Sequence, residues 1–215
     1  MKSIFTVVTC LFAFGLFAQS NKEAAALLQE VKAKTESYKT QQISFTNQID
    51  APTGKPDGSR SSRETSGKAL VKGERFRAEL DGIIIMFDGQ VTYMIYPDDE
   101  EINVMDKDDD EGVALTPSSI LAEYEKGYSY ALAGKETVNG KTIQYIRLKP
   151  KANAEVKEIS IGIDMAKKQL YSFQQFGHNG VITTLTVTSY VVNETLKDEL
   201  FSLNSPEFST FELFE

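Results

Sequence analysis

Few residues in this chain of 215 have types and spacing that could carry chemistry. His178 is the single histidine, so a Ser–His–Asp hydrolase would have to use it as its base. It stands in Gly177-His178-Asn179-Gly180, a turn composition, and no Gly-x-Ser-x-Gly elbow supplies a nucleophile. The acidic stretch Asp98 to Glu111 holds nine carboxylates in fourteen positions. Asp106, Asp108 and Asp110 have the alternate spacing of a calcium loop. The glycine comes one place late, however, and the twelfth position is Pro117 rather than glutamate. The stretch therefore reads as a solvated, mutually repelling loop, with a docking surface for a basic partner as the alternative. Nothing places two carboxylates in one cleft for glycoside hydrolysis. One cysteine and one histidine rule out Cys- and His-rich metal sites by count. With 31 acidic against 23 basic residues the net charge is -8, so a basic footprint for nucleic acid is absent. Carboxylate metal sites and hydroxyl nucleophiles survive this count, but no motif brings one together, and the chain is read as a non-enzyme without cofactor or metal.

The elements that would position them begin with an address. Met1-Lys2-Ser3 gives a basic start, Ile4 to Phe17 is a mostly apolar run, and Ala18-Gln19-Ser20 offers small residues for cleavage. This is the pattern of a secretory signal peptide. At about 14 residues the run is short for a bilayer-spanning helix. Residues 1–18 are read as the signal and 19–215 as one mature domain, with a cut after Ser20 as the alternative. Cys10 lies inside the run, not at its end, so acylation there is not expected. The mature chain then has no cysteine, and its stability must come from its core.

Ser20-Asn21-Lys22-Glu23 has the form of a capping box. Behind it Ala24, Leu27, Leu28, Val31 and Tyr38 share a stripe, which predicts an amphipathic helix over 21–39. From Ile43, Phe45, Asn47 and Ile49 the period changes to that of a half-buried strand. Residues 51–66 are rich in Pro, Gly, Ser and charge and read as a loop or hairpin tip. Strands follow at 67–72, 75–80, 83–87, 91–96 and 101–105, with a hairpin turn at Asp88-Gly89. Thr116-Pro117 opens a short helix carrying Ile120, Leu121 and Tyr124. Five more strands, at 128–133, 142–149, 157–163, 169–176 and 181–192, turn at Asn139-Gly140 and His178-Asn179-Gly180. The aromatic tail, Phe208 to Phe214, reads as closing the sheet's edge or as an exposed motif. The fold class is α+β, one domain built on a long antiparallel meander. The run 83–87 is apolar on both faces, so both sides of that strand avoid water. An ordinary core and an apolar cavity are both compatible with this supply.

In order and wording these segments resemble the periplasmic outer-membrane lipoprotein carrier family, LolA-like proteins. The matching residues are Ala26-Leu27-Leu28 and Tyr38, Ile43-Ser44-Phe45-Thr46, and Gly67-Lys68-Ala69-Leu70-Val71-Lys72 leading to Arg75-Phe76-Arg77. Asp88-Gly89-Gln90, Tyr93 and Tyr96-Pro97 form the most specific stretch. Leu148-Lys149-Pro150, Ile159, Ile161, Ile163 and Asp164, then Phe201 and Pro206, complete the series. The resemblance implies a curved antiparallel sheet forming an unclosed β-barrel with a helical lid, and an apolar cavity between them. It implies a monomeric periplasmic chaperone that shields lipoprotein acyl chains between an inner-membrane lipoprotein-releasing ABC transporter and an outer-membrane acceptor. Carried over, the cavity residues are Phe45, Ile49, Leu70, Phe76, Leu80, Ile83, Ile85 and Met94, with Leu121 and Tyr124 from the lid; Met86 is a further adaptable lining residue. The family often has an arginine after the second strand that ties lid to barrel; here Lys72 or Arg75 would have to substitute. A periplasmic sensor of lipid or lipoprotein with the same half-barrel is the alternative. Three long acyl chains are worth on the order of 30 kcal/mol in a bilayer, so such a carrier needs an energised transporter to load it.

Overall fold

The apolar stripe Ala24, Leu27, Leu28 and Val31 forms the inward face of a helix, α1 (Ala13–Glu36), in the computed structural model. The structure describes residues 13–105, 116–123, 127–152 and 156–214, with side chains from Asn21 onward except at 119, 122 and 123. Helix α1 ends three residues before the expected Lys39. There the Ser37 hydroxyl donates to the Lys34 carbonyl at 2.6 Å and the chain turns into the sheet. It also begins upstream of Ser20, so the expected capping box lies inside the helix. Ala13, Leu16, Ala18 and Gln19 favour helix and carry it through the box despite Gly15.

Twelve strands follow: β1 (Thr40–Pro52), β2 (Arg60–Lys72), β3 (Arg75–Leu80), β4 (Ile83–Phe87), β5 (Thr92–Tyr96), β6 (Glu101–Val104), β7 (Tyr128–Val138), β8 (Lys141–Pro150), β9 (Val156–Asp164), β10 (Gln169–Gly177), β11 (Ile182–Val192) and β12 (Glu212–Phe214). A short helix α2 (Pro117–Glu123) stands between β6 and β7. All twelve strands form one sheet in the order β12-β6-β5-β4-β3-β2-β1-β11-β10-β9-β8-β7. Every pairing is antiparallel except β12 on β6. The two ends of that order, β12 and β7, are not paired with each other, so the barrel is unclosed.

Local chemistry explains the turns. Asp88 Oδ1 accepts from the amides of Gln90 and Val91 at 2.8 and 3.0 Å, while Gly89 takes the positive φ of +106° that the reversal needs. The β7–β8 turn uses Asn139 and Gly140, both at positive φ. The stretch 51–66, expected as a loop, is mostly strand: β1 and β2 run thirteen residues each, and only 53–59 forms the turn. Its Ser, Arg and Thr side chains stand in water, which gives the loop-like composition, while the backbone stays paired with β1.

The register divides the side chains between two faces of the sheet. On the inner face, Ile146, Leu148, Ile159, Ile161 and Ile163 of β8 and β9 are buried under Ala24, Leu27 and Val31 of α1 and Ile120 and Leu121 of α2. On the outer face of β2–β6 the covering is the segment after β11. Leu196 and Phe201 bury Leu70, and Phe208 packs on Ile84, Met86, Ile95 and Ile102. Two short 3-10 turns, Asp198–Phe201 and Pro206–Phe208, place these aromatics.

Candidate functional site

The same register assembles an apolar surface on the inner face of β1–β5. Phe45 of β1 lies opposite Gly67 of β2, and Gly67 opposite Leu80 of β3. A Cβ at position 67 would stand 2.4 Å from the Phe45 ring, so glycine is what lets that ring lie flat across β2. Phe45 is 6% exposed and packs with Ile43, Ala69, Ala78 and Val187. Further along, Phe76 pairs with Phe87, Ala78 with Ile85, and Leu80 with Ile83; Ile85 in turn faces Met94 of β5. The Phe76 and Phe87 rings are 6.0 Å apart. Phe76, Leu80, Ile83, Ile85, Phe87 and Met94 are all only half-buried. Six large apolar side chains thus share one face of adjacent strands, each retaining accessible surface.

The structure brings together Phe45, Phe76, Leu80, Ile83, Ile85 and Met94 of the expected set on this face. Ile49 is on it too, at its outer end, 39% exposed. Leu121 is buried under α1 against β8 and β9, away from these strands. Tyr124 lies outside the described residues. Leu70 is a correction: neighbouring strand residues point to opposite faces, and Leu70 follows the inward Ala69, so it is buried outside against Leu196 and Phe201. Met86 is corrected for the same reason, being fully buried beneath Phe208. Phe87 was missed, although its alternation with Ile83 and Ile85 puts it on their side.

Lys72 and Arg75 do not tie a lid. Both lie on the outer face and both reach Asp198, at 3.0 and 2.5 Å; Lys72 Nζ also donates to the Leu196 carbonyl at 2.8 Å. Arg75 sits 5.5 Å over the Phe201 ring. The two cations hold the Asp198 carboxyl below the ordinary carboxylate range and fix the segment after β11 to the sheet. Arg77 does this more deeply. Its side chain is buried, its fork spans both carboxylate oxygens of Glu207, and its Nε donates to Glu79 at 2.8 Å. Burial works against the guanidinium charge, but Glu207 and Glu79 outweigh it and hold the arginine above its usual value. Arg77 in turn keeps Glu207 below the usual glutamate range.

Among the described residues no three His, Cys, Asp or Glu side chains gather as metal ligands. Asp98 to Glu100 lie in an exposed turn that leads into Glu101 of β6, and Asp106 to Glu111 lie outside the described residues. A notch of about 400 Å³ opens where β2 leaves β3, lined in part by Ser66, Leu80, Asp81, Ile83 and Asp98. No described helix is long and apolar enough to cross a membrane.

Comparison with known proteins bears on this surface. The family profile described as outer membrane lipoprotein carrier protein LolA matches residues 36–204. No match is found among curated protein sequences. Among solved structures, an uncharacterised conserved protein from Thermus thermophilus superposes with a TM-score of 0.60 at 9% identity, over 89% of this chain and 98% of that one. That likeness concerns the fold. A LolA superfamily protein from Nitrosomonas europaea gives 0.43 at 12% identity, over 83% and 97% of the two chains. The Pseudomonas aeruginosa MucA/MucB complex gives 0.42 at 12% identity, over 84% of this chain and 61% of that one.

Proposed function

The chain belongs to the outer membrane lipoprotein carrier protein LolA family, and on that premise we propose that it binds the acyl chains of lipoproteins on the inner face of β1–β5. One observation carries the reading. Phe76, Leu80, Ile83, Ile85, Phe87 and Met94 form a contiguous apolar face that is only half-buried. The equivalent face of β8 and β9 is sealed by α1 and α2. An acyl chain laid across these six side chains removes their remaining surface from water, at roughly 25 cal/mol per Å². Met94 adds an adaptable thioether where chains of different length must fit.

The carrier works in the periplasm once residues 1–18 are removed. It receives its cargo from an energised inner-membrane transporter and yields it to an outer-membrane acceptor. Phe76→Glu tests the reading, because a carboxylate at the centre of the face cannot be desolvated beside an acyl chain. The variant is expected to be exported and folded yet to lose lipoprotein uptake from transporter-loaded membranes. Undiminished uptake would remove this face as the acyl site.

A further inference from the structure

Beyond Gly67, strand β2 has a neighbour on one side only. It pairs with β1 from Arg60 to Lys72, but with β3 only from Gly67 to Lys72. The bond from the Thr53 amide to the Ser59 carbonyl, one step past the Pro52–Arg60 pair, fixes the phase of the β1–β2 ladder. In that phase odd-numbered residues of β2 exchange bonds with β1, and Ser62 and Glu64 direct their N–H and C=O groups away from it. The two-residue turn Gly73-Glu74 requires the same phase, with Lys72 and Arg75 as its closing pair. Ser61 to Glu64 are exposed, and no described residue takes up the outward backbone groups of Ser62 and Glu64. The notch beside this edge is lined largely by outward residues, among them Lys68, Arg77, Glu79 and Ile84. Leu80, opposite Gly67 where the edge begins, and its partner Ile83 belong to the inner apolar face, so the edge starts at the margin of the proposed acyl surface.

We infer that this edge receives the extended peptide that follows the acylated residue of the cargo, added to the sheet as one more strand. The inference rests on the acyl-binding reading above. Two outward residues offer about four backbone hydrogen bonds, and a five-residue stretch buries far less than the roughly 1,200 Å² of a stable free complex. A peptide already held by its acyl chains needs no such area, because tethering raises its effective concentration to about the millimolar range. Arg63 is paired with both carboxylate oxygens of Asp81 in the β3–β4 turn, at 2.6 and 2.7 Å, so the incoming strand would run beside this pair, and the exposed Glu64 opposes indiscriminate pairing between copies. At about 3.3 Å per residue, five or six residues of cargo span the edge from the notch outward.

The test is amide hydrogen exchange on the full chain with two probes, a ten-residue peptide bearing an N-terminal diacylglyceryl cysteine and the same acylated cysteine without the peptide. Slowed exchange at Ser62 and Glu64 with the lipopeptide alone is the expected result. Ser62→Pro removes an outward N–H while leaving the β1 ladder intact, and should weaken the lipopeptide about fivefold relative to Ser62→Ala. Equal protection by the peptide-free probe, or none at these amides with the lipopeptide bound, overturns the inference but leaves the acyl site standing. Binding of neither probe overturns both. Protection that rises with protein concentration in the absence of probe assigns the edge to a second copy instead.

Discussion

Strands β8–β9 and β3–β5 carry similar aliphatic side chains on the same face of the same sheet. Ile146, Leu148, Ile161 and Ile163 are fully buried beneath α1. Phe76, Ile83, Ile85 and Met94 keep part of their surface in water. Yet β3–β6 are not loosely built, since their opposite face is closed by Phe201, Phe208 and the Arg77–Glu207 pair. The difference shows how a strand can stay rigid while offering one face: the cover is moved to its back. Stability in this half comes from the outer face, which leaves the inner face open for the acyl chains proposed above.

The comparison can be broken most directly at its two cores. Ile161→Ala should cost about 3 kcal/mol in denaturant unfolding, because a fully buried aliphatic leaves a cavity under α1. Arg77→Met should cost about 2 kcal/mol, since it strands Glu207 and Glu79 against an apolar neighbour; a double-mutant cycle with Glu207→Gln reads their coupling. Acid should loosen the outer face selectively. Glu207 has a folded-state pKa below its unfolded one, so it adds stability above the ordinary glutamate range. That contribution is lost as pH falls through this range to the depressed folded value. Urea midpoints measured between neutral pH and about pH 3 should therefore fall less in Glu207→Gln than in the parent chain. Smallest of all, Ile85→Ala should cost about 1 kcal/mol, because the side chain is only half-buried. A cost matching that of Ile161→Ala would mean that the inner face of β4 is core.

Much of this division was legible in the sequence. The stripe from Ala24 to Val31, the Asp88-Gly89 and Asn139-Gly140 turns and the strand series follow from period and turn chemistry alone. The doubly apolar run 83–87 announced that both sides of β4 avoid water, but only the Ile84 and Met86 side is buried, while Ile83, Ile85 and Phe87 keep part of their surface accessible. Which side belonged to which neighbour was not legible. Leu70 and Met86 differ from Ala69 and Ile85 only in parity, and parity acquires meaning once the register is known. Lys72 and Arg75 went astray for the same reason, because their partner Asp198 lies some 120 residues away in the chain. The strand character of 60–66 was hidden by side chains that face water on both sides. The tail was half legible: Phe208 and Phe211 pack on the outer face, whereas Leu213 and Phe214 of β12 are 50% and 44% exposed.

The seam between β1 and β11 has a consequence in time. Gln41 pairs with Val192 and Asp50 with Ile182, and the join is locked where the Lys39 amide meets Asn193 Oδ1, a separation of 154 residues. Each flank is an unbroken series of hairpins between sequence neighbours, from β2 through β6 and from β7 through β11. The flanks can therefore zip early from local contacts, while the seam must wait for a long loop to close. Folding should show a fast phase from the hairpins and a slow one from the seam, so the two flanks exist as separate half-sheets before the whole sheet does.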